Sequence, residues 1–204
     1  MIILLSGCSA GYKELSLIEY KKDANFQSYI LNEYKAKAEF EAEEMHDWNS
    51  AKLYSEKALR AMETDNIYPQ EITYWKLDQD KAREIKMGYE NLMTVYDDAK
   101  INDPYNLAKA ISSLDCWAEQ QEENWQTWDI MSCKEEFIKS IHLIYEKIAT
   151  NNSEEENNFN NKISVKDEAT IVTKNKDEII MQIIYFDFDR AQLSNVSKEK
   201  IKLF

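Results

Sequence analysis

Glycine and proline are scarce in this chain, which has only three Gly and two Pro among its 204 residues. Average usage of roughly 12% for the two together would give about two dozen. β-Sandwiches, β-barrels and folds with a glycine-rich nucleotide loop need frequent turn residues, so the composition argues against them. It predicts a mainly helical protein.

The chain also has fewer basic than acidic residues, and it has no long apolar run. The chain has 38 acidic and 25 basic side chains and a net charge of −13. Binding to a nucleic-acid backbone depends on clustered Lys and Arg, so no nucleic-acid partner is predicted. No apolar run is long enough for a membrane-spanning helix, which leaves a covalent or peripheral membrane link. A hydrophobic content of 44% suffices to build a core.

Catalytic and metal motifs are few, because the chain has only two histidines. Glu43 and His46 have the Glu-x-x-His spacing of di-iron helical bundles, but the other histidine, His142, has Lys139 in place of the glutamate. There is no Ser-His-Asp order, phosphate-binding glycine loop or zinc-type cluster. We therefore predict no enzymatic activity, no metal and no cofactor. An enzyme that uses the Glu43 and His46 face is the least favoured hypothesis.

Two amphipathic helices are predicted to form an αα-hairpin. The first covers residues 26–46, where apolar side chains recur every three or four positions. Asp47 or Asn49 can cap the second helix. Residues 47–59 are similar to the turn and second helix of a tetratricopeptide (TPR) unit, but no second copy follows at the expected period. The apolar positions are Phe26, Ile30, Tyr34, Ala38, Ala42 and Met45, then Ala51, Tyr54, Ala58 and Met62.

Three further helices are predicted after the hairpin. Tyr68 and Pro69 indicate the start of a long helix, and its apolar side chains recur every seven residues, which favours packing in a bundle. Gly88 interrupts this pattern at modest cost. Asp103 and Pro104 repeat the start signal, and a final helix includes residues 137–148. The patterns predict a bundle of about five helices over residues 12–149.

The composition changes after this helical domain. Residues 150–168 are polar and of low complexity, which predicts a linker. Residues 169–173 and 179–186 are rich in β-branched and aromatic side chains, so both are predicted strands. Ser197 is a candidate cap for a short closing helix.

Residues 1–8 resemble the end of a bacterial lipoprotein signal peptide. Leu5-Ser6-Gly7-Cys8 fits the lipobox, in which small residues precede the cysteine that receives the lipid. The resemblance implies that Cys8 is acylated and that several acyl chains anchor the protein. Ser9 implies sorting to the outer membrane. The apolar stretch is short and no Lys or Arg precedes it, so we expect the reading frame to begin upstream.

Residues 184–204 resemble the opening of the OmpA-like peptidoglycan-binding domain. A strand ends in Phe186, Asp187, Phe188 and Asp189, and Leu193 and a capped amphipathic helix follow. The match covers only the first strand and helix of that domain, residues 169–204 at most. The groups that hold the wall peptide lie further on in the family, so no peptidoglycan-binding residue is assigned. This chain alone is not expected to bind peptidoglycan.

The helical region is similar to the N-terminal part of α-proteobacterial OmpA-family lipoproteins, most specifically over residues 115–126. Cys116 and Cys133 are the cysteines that remain besides Cys8. In an oxidising compartment an isolated pair is expected to form a disulfide. The alternative is two unpaired cysteines, of which one or both are buried.

The fold expected from the whole sequence is a mainly α bundle with a TPR-like hairpin, followed by a linker and an incomplete α/β segment. The resemblances imply a non-enzymatic lipoprotein on the periplasmic side of the outer membrane, with peptidoglycan as its partner. The alternative is a helical adaptor that recruits other envelope proteins through the grooves of the hairpin.

Overall fold

The protein is described by a computed structural model that covers residues 10–124 and 126–163, with side chains up to residue 151. Over these residues it is mainly helical and contains no strand, which confirms the predicted helical class. The helices are α1 (Ala10–Ser16), α2 (Phe26–Phe40), α3 (Trp48–Glu63), α4 (Gln79–Asn102), α5 (Pro104–Glu123) and α6 (Thr127–Ile163). None of the helices described combines the length and apolar character needed to cross a membrane.

The α2–α3 hairpin begins both of its helices with a side-chain cap. The Asn25 side chain accepts a hydrogen bond from the backbone N–H of Ser28 at 2.9 Å. Asp47 caps α3 by accepting from the N–H groups of Asn49, at 2.8 Å, and Ser50, at 3.3 Å. Each cap pairs amides that have no partner inside the helix. The predicted hairpin is present. Of the two candidate caps, Asp47 and Asn49, it is Asp47 that caps α3.

The turn between α2 and α3 differs from the single helix predicted over residues 26–46. The α-helix ends at Phe40 and is followed by a π-helical turn, Glu41–Met45. His46 then adopts the left-handed conformation, with φ 56°. The wider turn places Glu41, which is 3% exposed, on the inner side of the hairpin.

The helix predicted to start at Tyr68 and Pro69 does not start there; α4 begins ten residues after Pro69, at Gln79. The intervening segment is irregular apart from a short 3₁₀ turn, Ile72–Tyr74. Ile67 is buried in the core, and its carbonyl accepts a hydrogen bond from the Tyr96 hydroxyl at 2.9 Å. If this stretch were helical, the burial of Ile67 and its hydrogen bond from Tyr96 would be lost. Tertiary packing therefore overrides the local signal for a helix start.

Helices α4, α5 and α6 complete the bundle. Asp103 caps α5 and Pro104 occupies its first turn, as predicted. Helix α5 is the most buried element and packs against both α2 and α4. Helix α6 joins it through Phe137, which is 1% exposed and has its ring centroid 6.0 Å from that of Trp117.

Helix α6 extends to Ile163, and therefore into the stretch 150–168 that was predicted to be a linker. The chain divides into two compact units, Met1–Glu156 and Asn157–Phe204. The predicted strands, 169–173 and 179–186, and the rest of the OmpA-like segment lie outside the described residues.

Candidate functional site

Cys8 and the motif Phe186, Asp187, Phe188 and Asp189 also lie outside the described residues. The structure therefore places neither the predicted lipidation site nor the family motif.

Cys116 and Cys133 are brought together by α5 and α6. Their Cα atoms are 5.7 Å apart and their sulfur atoms are bonded, although 17 residues separate them in sequence. The Cα separation is in the usual range for a disulfide. The bridge joins the second half of α5 to the first turns of α6, next to the contact between Trp117 and Phe137.

Glu43 and His46 do not assemble a metal site in the part of the chain that is described. The Glu43 carboxylate accepts a hydrogen bond from the Tyr12 hydroxyl at 2.6 Å. His46 Nδ1 lies 3.3 Å from the Ala42 carbonyl oxygen. His142 lies on the surface of α6, with Nε2 3.2 Å from the carboxylate of Glu146. Both histidines thus have local partners.

A buried ionic network surrounds Asp115 on α5. Its carboxylate accepts hydrogen bonds from the Tyr34 hydroxyl at 2.7 Å, the Lys57 ammonium at 2.5 Å and the Gln70 backbone N–H at 2.6 Å. Burial, and then the charge of Asp115, raise the pKa of Tyr34 well above its usual value. The donors come from three separate parts of the chain, so this network holds the fold together.

Apart from this network, Glu41, Asp47 and Glu119 form a cluster of acidic residues. Each residue offers a carboxylate oxygen within 4.8 Å of the others. Glu41 comes from the π-turn, Asp47 from the cap of α3 and Glu119 from α5. Glu41 and Glu119 are each 3% exposed, whereas Asp47 is partly open to solvent. We call these three residues the acidic cluster.

Two polar neighbours fix the Glu119 carboxylate. The Ser50 hydroxyl donates to Oε1 at 2.8 Å, and the Gln120 side-chain amide donates to Oε2 at 2.9 Å. Two nearby buried atoms have no hydrogen-bond partner, namely the carbonyl oxygen of Gln120 and the hydroxyl of Tyr54. Buried polar atoms are nearly always paired, so these two need an explanation.

The acidic cluster is electrostatically unfavourable when all its carboxylates are ionised. Burial is the main cause that raises the pKa of Glu41 to about 8, and the charges of Glu119, Glu123 and Asp47 add to it. Burial also raises the pKa of Glu119 to about 7. Lys37 partly offsets the effect at Glu41. Among the described residues, no member of the acidic cluster forms an ion pair.

Sequence reasoning missed the acidic cluster because its members are far apart in the chain. A signal was nevertheless present. Glu41 follows Ala38 by three residues on the apolar stripe of α2, and Glu119 follows Asp115 by four on the buried face of α5. An acidic residue on an otherwise buried stripe needs a partner or a function, since ionised carboxylates are rarely buried alone.

No protein-family model matches this chain, and no curated protein or solved structure does either.

Proposed function

We propose that the protein is an outer-membrane lipoprotein that is anchored through Cys8 and tethers the membrane to peptidoglycan through an OmpA-like domain, the opening of which residues 169–204 resemble. The observation that carries most weight is the pairing of Cys116 with Cys133 across two helices. Disulfides persist in the oxidising periplasm and are rare in the cytosol. This supports export, and export supports interpreting Leu5 to Cys8 as a lipobox.

The helical bundle suits a mechanical role in such a tether. The disulfide fastens α6 to α5, and α6 is the helix from which the chain continues towards residues 169–204. Tension carried by α6 would therefore pass into α5, which is buried among the other helices. Several acyl chains on one cysteine would resist extraction from the membrane far better than a single chain.

Lipidation is tested by labelling cells with a palmitate analogue. Residues 5–204 are expressed behind the charged and apolar regions of a standard lipoprotein signal, as wild type and as Cys8→Ala. We expect label on the wild type only and its recovery with outer membranes. Equal labelling of both proteins would refute the anchor.

The wall contact is tested by co-sedimentation with purified sacculi. The protein as its gene encodes it is compared with the same protein lacking everything from residue 169 onwards. We expect sedimentation to be lost on deletion. If the shortened protein sediments equally well, the helical domain makes the contact and the proposed roles are reversed.

The alternative function, an adaptor for envelope proteins, is favoured by one surface feature. Trp128 and Met131 lie one turn apart on α6 and are 69% and 53% exposed, and Lys139 and Glu135 border the shallow groove that they line. Large exposed apolar side chains can mark an interaction surface. If Trp128→Ala with Met131→Ala removes a co-purifying envelope protein but leaves sacculus binding unchanged, the adaptor role is supported.

A further inference from the structure

We propose that the acidic cluster of Glu41, Asp47 and Glu119, together with the side-chain carbonyl of Gln120, is a calcium-binding site. The site lies where the π-turn, the start of α3 and α5 meet. This inference does not depend on the lipoprotein proposal.

The charge of the acidic cluster favours a bound cation. Three carboxylates converge within 4.8 Å, two of them are 3% exposed, and no ion pair compensates them in the part of the chain described. By contrast, Asp115, which is equally buried, is paired with Lys57. Buried carboxylates are usually paired or coordinate a metal. The charge of Lys37 acts on Glu41 without forming an ion pair with it, so the acidic cluster lacks the directly bonded ammonium that Asp115 has.

The side-chain amide oxygen of Gln120 is buried and unpaired. This side chain is 2% exposed, its Nε2 donates to Glu119 Oε2 at 2.9 Å, and its Oε1 has no partner. The amide is therefore held at the acidic cluster with an unused acceptor. Turning the amide about its last torsion would exchange the two atoms and direct the carbonyl oxygen to a cation on Glu119.

The ligand atoms favour calcium over other metals. All of them are oxygens, whereas zinc in proteins is bound mainly by nitrogen and sulfur ligands. Calcium–oxygen bonds of about 2.3–2.6 Å separate opposite ligands by up to about 5 Å, which accommodates the 4.8 Å limit within the acidic cluster. Magnesium demands near-ideal octahedral geometry with bonds of about 2.0–2.1 Å, which would hold opposite ligands only about 4.2 Å apart and would require the acidic cluster to contract.

The surrounding structure prepares the carboxylates for a cation. Asp47 caps α3 through Oδ1, which accepts both backbone hydrogen bonds, so Oδ2 can bind the cation. Ser50 orients Glu119 from the other side. Such outer contacts position metal ligands and sharpen affinity. The partly open side, at Asp47, provides the entry path.

The test uses the full chain, freed of metal with a chelator and titrated with CaCl₂ or MgCl₂ at constant ionic strength. Calorimetry measures stoichiometry and affinity, and circular dichroism follows thermal unfolding. We expect one Ca²⁺ per chain, a saturable rise in the unfolding midpoint, and binding of Mg²⁺ at least 10-fold weaker. Absence of saturable binding would overturn the site, and equal binding of the two ions would overturn the assignment to calcium.

Charge-neutral variants locate the ion. Glu119→Gln and Glu41→Gln should each weaken calcium binding by at least about 10-fold, a loss typical of damaged metal sites. Both keep the shape of the side chain and remove a buried charge, so their helical circular dichroism should be unchanged. Glu135→Gln, which changes an exposed residue of α6, is the control with the same net charge and should bind as wild type does.

Equal binding by Glu119→Gln, Glu41→Gln and Glu135→Gln would overturn the proposal, because only diffuse attraction to an acidic protein would then remain. A measurement on the unmodified chain guards against variants that fail to fold. Tb³⁺ in the site should luminesce when aromatic side chains are excited, since Tyr54 is buried close enough for the charges of Glu119 and Glu41 to act on its hydroxyl. Ca²⁺ should displace the Tb³⁺. Absence of that signal would also count against the site.

Discussion

Gly88 lies on α4 and faces Phe137 of α6 and Leu114 of α5, so the space around it is closed. A Cβ atom added there would lie 2.9 Å from Cε1 of Phe137 and 3.4 Å from Cδ1 of Leu114. Both neighbours are 1% exposed and neither is free to move outward. The sequence alone indicates only that Gly88 interrupts a helix, whereas the structure shows that it lets two helices approach.

We expect Gly88→Ala to lower the free energy of unfolding by about 1–3 kcal/mol, the usual cost of overpacking a core. This cost outweighs the gain of up to about 1 kcal/mol in helix propensity that alanine brings. Urea unfolding monitored by circular dichroism measures the change.

Gly11→Ala is the matched control, because Gly11 also lies within a helix. An added Cβ would meet only Ser55 Cβ, at an ordinary 3.7 Å. Its stability should therefore stay the same or rise by up to about 1 kcal/mol. A loss at Gly11 as large as that at Gly88 would show that the packing explanation is wrong.

The starting residues of α3 and α5 could be predicted from the sequence, because both depend on local signals. Asp47 and Asp103 cap α3 and α5 through contacts with amides only two or three residues away, so the short-range pattern determines where these helices begin. The segment between α3 and α4 was not predictable. Its conformation depends on bonds from Gln70 to Asp115 and from Tyr96 to Ile67, whose partners are 45 and 29 residues apart.

The candidate site was still less accessible from sequence. The pattern over residues 26–46 is consistent with one continuous helix, and nothing local distinguishes the π-turn in which Glu41 lies. Asp47 is recognisable as a cap, but its proximity to Glu119 arises only when α5 packs on the hairpin. Convergence of distant residues is a property of tertiary packing.

The link between α5 and α6 gives a prediction at the same scale. In protein exported to the periplasm, Cys116 and Cys133 should be bridged, because the packing of α5 against α6 places their Cα atoms 5.7 Å apart, within the usual range for a disulfide. Closing a loop of 17 residues stabilises the native state by roughly 3 kcal/mol in the chain-entropy model. Alkylation before reduction, followed by mass spectrometry, detects the bridge. Two freely alkylated thiols would contradict it.

At the scale of the whole molecule, Asp115 connects the parts of the bundle. Its carboxylate receives the Tyr34 hydroxyl from α2, the Lys57 ammonium from α3 and the Gln70 amide from the irregular segment. Lys57 also donates to the Tyr68 carbonyl oxygen at 3.0 Å. The network thus fixes the segment before α4 against the helices, and the cooperativity of unfolding should depend on it.

We expect Asp115→Ala to lower the free energy of unfolding by about 3–5 kcal/mol, because it leaves the Lys57 charge without its buried partner. Asp80→Ala, at a side chain that is 91% exposed, should change stability by less than about 0.5 kcal/mol. The double variant Asp115→Ala with Lys57→Met should recover part of the loss, since no unpaired charge is then buried. Urea unfolding of the wild type, Asp115→Ala, Lys57→Met and the double variant measures the coupling, with Asp80→Ala as the surface control. Strictly additive losses would show that the ion pair does not organise the bundle.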